Sequence, residues 1–208
     1  MLGQEVSLGS LLIGITGNSG CGQTTAAEFL ADHATVCFLD ELGHRLLGKE
    51  YVRKELASAF GNPEIVSMSG EEVRKYLSNL VFDNPKLMER LNVVVHPRMA
   101  RWVRNAAAAL RKREGIWILE GALLFELALG DVFDETVLIR DSLERCAERL
   151  VLRDGINEED AKKRWNFQLA LEEKASMAGT VVDNNGDLEY LKRKIVGIFQ
   201  EISKRHLD

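Results

Sequence analysis

The sequence predicts an α/β protein in which a doubly wound, five-stranded parallel sheet carries helices on both faces. Short apolar runs alternate along the chain with longer stretches whose apolar residues recur at helical spacing. Strands that alternate with helices favour parallel pairing through crossover connections. A Gly-rich turn also joins the first apolar run directly to the first helix. The predicted strands lie at 11–16, 35–39, 116–119, 136–139 and 180–182.

Length and composition indicate one globular domain and exclude several classes of protein. The 208 residues are 46% apolar and 28% charged, which suits a single sizeable core. A net charge of −5 argues against a nucleic-acid binder, since phosphate polymers require a basic surface. Because no run of 18 apolar residues occurs, we expect no membrane span. Three cysteines without metal-ligand spacing indicate reduced thiols in a cytoplasmic protein. We also expect a monomer or a small homo-oligomer.

The turn after the first strand has the pattern of a P-loop. Its glycines are expected to take positive φ and to turn backbone N–H groups toward a phosphate at the helix N-terminus. Thr24 occupies the position of the hydroxyl that binds Mg²⁺. A Gly-rich turn without a ligand is the alternative. The candidate nucleotide-binding residues are Gly17, Asn18, Ser19, Gly20, Cys21, Gly22, Gln23, Thr24 and Thr25.

Gln23 departs from this pattern, because a lysine normally precedes the final Ser or Thr of the motif. The Gln amide can donate a hydrogen bond but carries no charge. Loss of one preorganised transition-state donor costs roughly 3–4 kcal/mol, or about 10²–10³ in rate. Three explanations stay open: an engineered change, a nearby Lys or Arg that replaces the charge, and a protein that binds nucleotide without turnover.

Two carboxylates follow predicted strands. Asp40 ends the second strand and Glu120 ends the third, and ligands gather at the carboxyl ends of strands in open α/β sheets. Asp40 is a candidate general base, an outer-shell partner of Mg²⁺, or an N-cap of the next helix. Glu120 is expected to approach the Gly-rich turn.

Helical patterns dominate the segment from 49 to 113. Pro97 is expected in the first turn of a new helix, directly after His96. His96 is either a hydrogen-bonded residue of the helix start or part of the site. A basic stripe follows, which is either a solvated face or a phosphate-binding patch, and comprises Arg98, Arg101 and Arg104.

A second basic helix follows the fourth strand. Arg145, Arg149 and Arg153 recur at intervals of four, and Asp154-Gly155 ends the helix. Basic helices hinged at such a point predict a lid that closes over phosphates. The alternative is i,i+4 pairing of these arginines with nearby acids, for example Glu144 and Glu148.

The order and spacing of several motifs resemble dephospho-coenzyme A kinase, a P-loop kinase of the nucleoside-monophosphate kinase group. The resemblance extends from about 12 to 198. Beyond the Gly-rich turn, the motifs are Phe38–His44, Ser69–Phe82 with Arg74, His96-Pro97, Leu123–Glu126, Arg149–Asp154 with Gln168, and Val181–Gly186.

The resemblance implies ATP-dependent phosphorylation of the ribose 3′-hydroxyl of dephospho-CoA, the last step of coenzyme A synthesis. ATP, Mg²⁺ near Thr24 and the small-molecule acceptor would be the partners. It implies a core at about 11–48, 114–152 and 175–208, a helical CoA-side insertion at about 49–113, and a lid at about 153–174. The implied catalytic residues are Asp40, which would accept the proton, and Arg149 and Arg153 on the phosphates. The implied substrate-binding residues are His44, Arg74, His96 and Gln168.

Phe38, Ala122 and Gln23 depart from the family motifs. Two other functions therefore stay open at this point. One is a nucleotide- or CoA-binding protein without turnover, which Gln23 favours. The other is a related small-molecule P-loop kinase that acts on a different hydroxyl.

Overall fold

The computed structural model describes residues 9–81 and 84–207, with the side chain of the last residue left aside. Within these residues the five strands form one parallel sheet in the order β2-β3-β1-β4-β5. The predicted doubly wound sheet is therefore confirmed. Phe82, part of one family motif, lies outside the described residues. The strands are β1 (Ser10–Thr16), β2 (Thr35–Phe38), β3 (Gly115–Glu120), β4 (Glu135–Arg140) and β5 (Thr180–Asp183).

Helices cover both faces of the sheet. Helices also form the segment between β2 and β3 and the segment between β4 and β5. Two short 3₁₀ turns lie at Pro63–Val66 and Gly130–Val132. None of the helices in the described part of the chain is both long and apolar enough to cross a bilayer. The α-helices are α1 (Gln23–Glu28), α2 (Leu39–Leu47), α3 (Glu50–Phe60), α4 (Gly70–Val81), α5 (Pro85–Leu110), α6 (Leu143–Asp154), α7 (Glu158–Asn166), α8 (Leu171–Met177) and α9 (Leu188–Leu207).

The central strand β1 is buried on both faces, as expected for a strand flanked by parallel neighbours. One face packs against α1 and α9, in a cluster that includes Ile13, Ala26 and Ile195. The other face packs against α2 and α5 through Leu12 and Ala107. The alanine run in α5 thus brings that helix close to the sheet within the chain. This packing fixes the strand ends at which the site is built.

Helices α3 and α4 have an apolar cluster of their own, separate from the core of the sheet. The cluster contains Val52, Leu56, Ile65 and Val73, all of them fully buried. Helix α5 extends from this cluster to the sheet and contributes apolar residues to both. The long helix therefore joins the helical insertion to the core.

The prediction that Pro97 begins a new helix is wrong, because α5 continues through it. Proline cannot donate to the carbonyl four residues earlier, which belongs to Val93. Val93 is on the exposed side of the helix, where water can bond to that carbonyl. On the opposite side, Val94 and Met99 are buried. Tertiary packing of this apolar face therefore outweighs the local preference for a break.

Candidate active site

The Gly-rich turn between β1 and α1 adopts the tight conformation that its sequence predicts, with one difference. Gly20 and Gly22 have φ of 84° and 97°, values that only glycine adopts without strain. Gly17, in contrast, is not in the positive-φ region. Glycine is required there for space, since a Cβ would lie 2.4 Å from the Ile139 carbonyl oxygen. The expectation of positive φ therefore holds for two of the three glycines.

Contacts from distant parts of the chain hold this turn in place. The amide Nδ2 of Asn184, which follows β5, donates to the Cys21 carbonyl at 2.8 Å. Arg149 of α6 donates to the Gly20 carbonyl at 3.0 Å. The Asn18 amide is completely buried and donates to the Leu169 carbonyl at 3.1 Å. The turn is therefore preorganised by three elements other than its own strand and helix.

Gln23 begins α1, and its side chain is buried rather than extended into solvent. Its Oε1 lies 3.3 Å from the position that a Cβ on Gly17 would occupy. The amide therefore lies back across the turn. It provides a polar group where the motif has a cation, and no positive charge comes from this position.

Thr24 and two carboxylates form the centre of the site. Thr24 Oγ1 donates to Glu120 Oε1 at 3.2 Å. Glu120 is 4% exposed, and burial raises the pKa of its carboxyl to about 7, with the negative charge of Asp40 as the second cause. Asp40 is exposed and lies in the first turn of α2. Glu120 thus approaches the turn as predicted, and Asp40 is close enough to influence it.

The oxygen atoms at this centre suit a magnesium ion. Mg²⁺ is usually held by one or two carboxylates, by water and by substrate phosphates, rather than by a cage of protein ligands. Consistent with this, no cluster of three or more His, Cys, Asp or Glu side chains with metal-ligand geometry occurs within 9–81 and 84–207. The Thr24 hydroxyl and the Glu120 carboxylate are the groups that fit such an ion.

A cavity of about 430 Å³ opens beside Asp40, between α2, α4 and α5. His44 and Arg74 meet at its wall, with 2.9 Å between His44 Nε2 and Arg74 Nη1. His96 lines the same cavity from the middle of α5, and burial lowers the pKa of its imidazole. Three of the four predicted substrate-binding residues therefore share one cavity with the predicted base.

Gln168, the fourth predicted substrate-binding residue, lies at the Gly-rich turn and not among the residues that line this cavity. Its Oε1 accepts the backbone N–H of Ser19 at 2.8 Å. The next residue, Leu169, donates its N–H to Glu126 Oε1 at 3.0 Å. Lys174 pairs with the same oxygen at 2.8 Å. The segment between α7 and α8 is thereby anchored on the turn.

The predicted lid arginines lie on α6, facing the turn. Arg149 donates to Asp141 Oδ2 at 2.6 Å in addition to its bond to the turn. Arg153 donates to Asp154 at 2.7 Å, and its charge also acts on Asp40 and Glu120. Asp154 in turn accepts from Arg164 of α7 at 2.6 Å, and Gly155, with φ of 65°, ends α6. Arg145 does pair with an acid four residues away, Asp141, as the alternative had it, whereas Arg149 and Arg153 pair with acids at other spacings.

Sequence reasoning missed Asp141, whose side chain is 3% exposed and accepts from both Arg145 and Arg149. Asp141 directly follows β4, so the rule that selected Asp40 and Glu120 applied to it as well. Two arginines of the basic stripe of α5 form ion pairs with acids of other elements. Arg98 pairs with Glu55, and Arg104 pairs with Asp131 at 2.8 Å.

Comparison with known proteins identifies the family. The family model for dephospho-CoA kinase matches residues 11–189. The dephospho-CoA kinase of Thermus thermophilus is 34% identical over 194 residues, which cover 93% of this chain and 92% of the relative. That of Aquifex aeolicus is 30% identical, with 92% and 97% covered.

Solved structures agree with the sequence comparison. A crystal structure from Thermus thermophilus superposes with a TM-score of 0.72 at 31% identity and covers 93% of this chain and 98% of that one. A shikimate kinase from Acinetobacter baumannii in complex with shikimate has a TM-score of 0.60 at 15% identity, with 98% and 97% covered, so that it shares the fold alone. On these grounds, the chain belongs to the dephospho-CoA kinase family.

Proposed function

We propose that this protein transfers the γ-phosphoryl group of ATP to the ribose 3′-hydroxyl of dephospho-CoA, which yields coenzyme A. Family membership supports the activity. The observation that carries the assignment of the site is the position of Asp40. It lines the cavity of His44 and Arg74 and acts electrostatically on Glu120, which bonds to Thr24 of the Gly-rich turn. A hydroxyl bound in the cavity would thus meet a carboxylate directly beside the phosphate site.

Asp40 is the proposed general base. It would accept the proton of the acceptor hydroxyl as the oxygen attacks the phosphorus. Its exposed position in the first turn of α2 leaves the carboxylate accessible from the cavity. His44, Arg74 and His96 would orient the acceptor on the other walls. Positioning of this kind contributes to the rate because it converts a bimolecular step into an intramolecular one.

Thr24 and Glu120 are the proposed holders of Mg²⁺. When bound, the ion would neutralise charge on the phosphates and favour their transfer. Glu120 has a pKa of about 7 in the structure, so it loses its proton easily when a cation arrives. Thr24 would exchange its hydrogen bond to Glu120 for a bond to the ion.

Arg153 and Arg149 are the proposed replacements for the cation that Gln23 lacks. Arg153 acts electrostatically on both Asp40 and Glu120, and Arg149 contacts the Gly20 carbonyl. Both belong to α6, whose end is the hinge at Gly155. Arg149 already contacts the turn, so closure of the lid beyond Gly155 would enclose the phosphates beside these charges. The protein acts on small molecules, and we place it in the cytoplasm as a monomer or a small homo-oligomer.

The decisive experiment compares this chain with its Gln23→Lys variant in ATP- and dephospho-CoA-dependent formation of coenzyme A with Mg²⁺. We expect product from both, with the variant faster by less than about 10²-fold, because the lid arginines supply part of the missing charge. Activity in the variant alone would mean that the arginines do not compensate. If neither chain forms coenzyme A although dephospho-CoA still binds, the protein is a binding protein and not a kinase.

A parallel assay with shikimate and nucleosides as acceptors tests the other kinase function. We expect no measurable transfer to either. A preference for one of these hydroxyls over dephospho-CoA would reassign the substrate while keeping the reaction class.

A further inference from the structure

Two cysteines from distant parts of the sequence meet beside the Gly-rich turn. Cys21 lies within the turn and Cys146 lies in α6, and their sulfur atoms are 3.3 Å apart. Both residues are completely buried, in a small cluster with Leu138 and Leu171. The third cysteine, Cys37, is exposed on the edge strand β2. From this geometry we propose that Cys21 and Cys146 form a redox modification site, which takes hydrogen peroxide as oxidant and closes to a disulfide that weakens nucleotide binding.

The two sulfur atoms need only a small movement to reach the length of a disulfide bond. A disulfide has an S–S length of about 2.05 Å, so the sulfurs must approach by roughly 1.2 Å. The thiols already share a hydrogen bond, and this bond from Cys146 is the main cause that lowers the pKa of Cys21 below its ordinary value. Cys21 is therefore the sulfur that reacts first, because the thiolate is the nucleophile.

The reaction has two steps. The Cys21 thiolate attacks one oxygen of the peroxide, which breaks the O–O bond, releases hydroxide and leaves a sulfenic acid. Cys146 then attacks the sulfur of Cys21. The S–S bond forms, the S–O bond breaks, and the oxygen leaves as water with the proton of Cys146. In total the two thiols lose two electrons and two protons, and one peroxide becomes two waters.

Burial restricts the oxidant, since neither sulfur is exposed. Leu171, which packs in the same cluster as the two cysteines, begins α8 two residues after Leu169 of the anchored segment. Opening of that segment would admit a molecule of the size of peroxide. Larger disulfides such as oxidised glutathione are expected to react much more slowly.

The disulfide would disturb the turn because the surrounding contacts restrict the movement of Cys21. The Cys21 N–H donates to the Asn18 carbonyl at 2.9 Å, and the Cys21 carbonyl accepts from Asn184. A Cβ on Gly20 would lie 2.4 Å from the Cys146 carbonyl oxygen, so the backbones already touch there. Cys21 cannot approach Cys146 without straining these bonds, and the N–H groups that face phosphate move with it.

The test treats the full chain with hydrogen peroxide, blocks free thiols with N-ethylmaleimide under denaturing conditions and measures the intact mass. We expect one maleimide per chain, on Cys37, instead of three, and a peptide that links Cys21 to Cys146. ATP affinity, measured by titration calorimetry, should fall about tenfold and return with dithiothreitol. If both Cys21 and Cys146 still take maleimide at a higher peroxide dose, at which Cys37 itself is oxidised, the site does not exist.

Two variants keep the result interpretable. Cys37→Ser should still form the disulfide and lose affinity. Cys146→Ala removes both the thiol that closes the disulfide and the hydrogen bond that lowers the pKa of Cys21, so it should keep its ATP affinity in peroxide. Cys146→Ser serves if the alanine variant folds poorly by circular dichroism. Equal loss of affinity in the Cys146 variants, or a disulfide without any loss, would refute the proposed effect. The thiol measurement does not depend on kinase activity, so its failure is distinguishable from a failure of the proposed function.

Discussion

The proposed nucleotide side, around the Gly-rich turn, and the proposed acceptor side, around the cavity of His44 and Arg74, are held together by different interactions. On the nucleotide side, buried polar groups hold the Gly-rich turn through hydrogen bonds, and Asn18 and Asn184 are both at most 6% exposed. On the acceptor side, α3, α4 and α5 pack around apolar residues such as Leu56. The polar side chains of His44 on α2 and Arg74 on α4 remain exposed at the cavity wall.

This difference predicts which property a substitution on each side should alter. Buried hydrogen-bonded groups on the nucleotide side are costly to leave unpaired, so substitutions there alter the turn as a unit. Exposed side chains on a helical scaffold can be replaced one at a time with little effect on the fold. Substitutions on the acceptor side should therefore alter acceptor affinity and leave ATP binding unchanged. Asp40, which belongs to both sides, should alter the chemistry alone.

The largest expected effect is that of Asp40→Asn. Loss of the general base should lower kcat by about 10²–10⁴, since that is the typical contribution of a positioned proton acceptor. ATP affinity should stay within a factor of two or so, because the turn is untouched. Steady-state kinetics and calorimetric titration with ATP measure the two quantities.

Glu41→Gln is the matched control for Asp40→Asn. Glu41 is the neighbouring carboxylate on α2 and pairs at 3.2 Å with Arg45 on the helix surface. We expect wild-type kinetics from it. Unchanged turnover in Asp40→Asn would show that Asp40 takes no part in the mechanism and does not link the two sides.

The next effect concerns stability and its dependence on pH. Glu120 has a pKa raised from 4.5 to about 7 in the folded protein, so the folded state binds its proton more tightly than the unfolded state. Its contribution to stability is therefore complete below about pH 4.5 and is lost as pH rises to about 7. The full cost of the ionised carboxylate is roughly 3 kcal/mol.

Glu120→Gln removes this cost, since the amide stays neutral and its oxygen can still accept from Thr24. Urea unfolding should show a variant more stable than the wild type at pH 8 by up to about 3 kcal/mol, and little different at pH 4.5. Glu201→Gln, an exposed change on α9, controls for the loss of one surface charge. A difference between Glu120→Gln and wild type that does not vary with pH would contradict the burial of this carboxyl.

The smallest expected effect concerns the affinity of the acceptor side for dephospho-CoA. Arg74→Met should raise the KM for dephospho-CoA about tenfold, because it removes one cation from the cavity wall, and should leave the KM for ATP unchanged. Arg101→Met removes a cation from the basic stripe of α5 and should change neither value. If Arg101→Met has the larger effect, the acceptor phosphate lies on the stripe and not in the cavity.

The order and spacing of motifs along the whole chain indicate the family, and local patterns are enough to predict the sheet and the Gly-rich turn. These depend on local physical rules: apolar runs of strand length, glycines where the backbone needs positive φ, and a hydroxyl at a fixed position after them. One further rule, that ligands gather where parallel strands end, selected Asp40 and Glu120 as candidates. Such features are readable because each depends on residues close together in the chain.

Tertiary structure alone decided the rest, because it depends on contacts between residues far apart in the chain. Gln168 bonds to Ser19 across 149 positions, and Cys146 meets Cys21 across 125. Pro97 lies within a helix since burial of one face of α5 outweighs the lost hydrogen bond. No local rule states which distant segments approach each other. Only the packing of helices on both faces of the sheet brings these residues together.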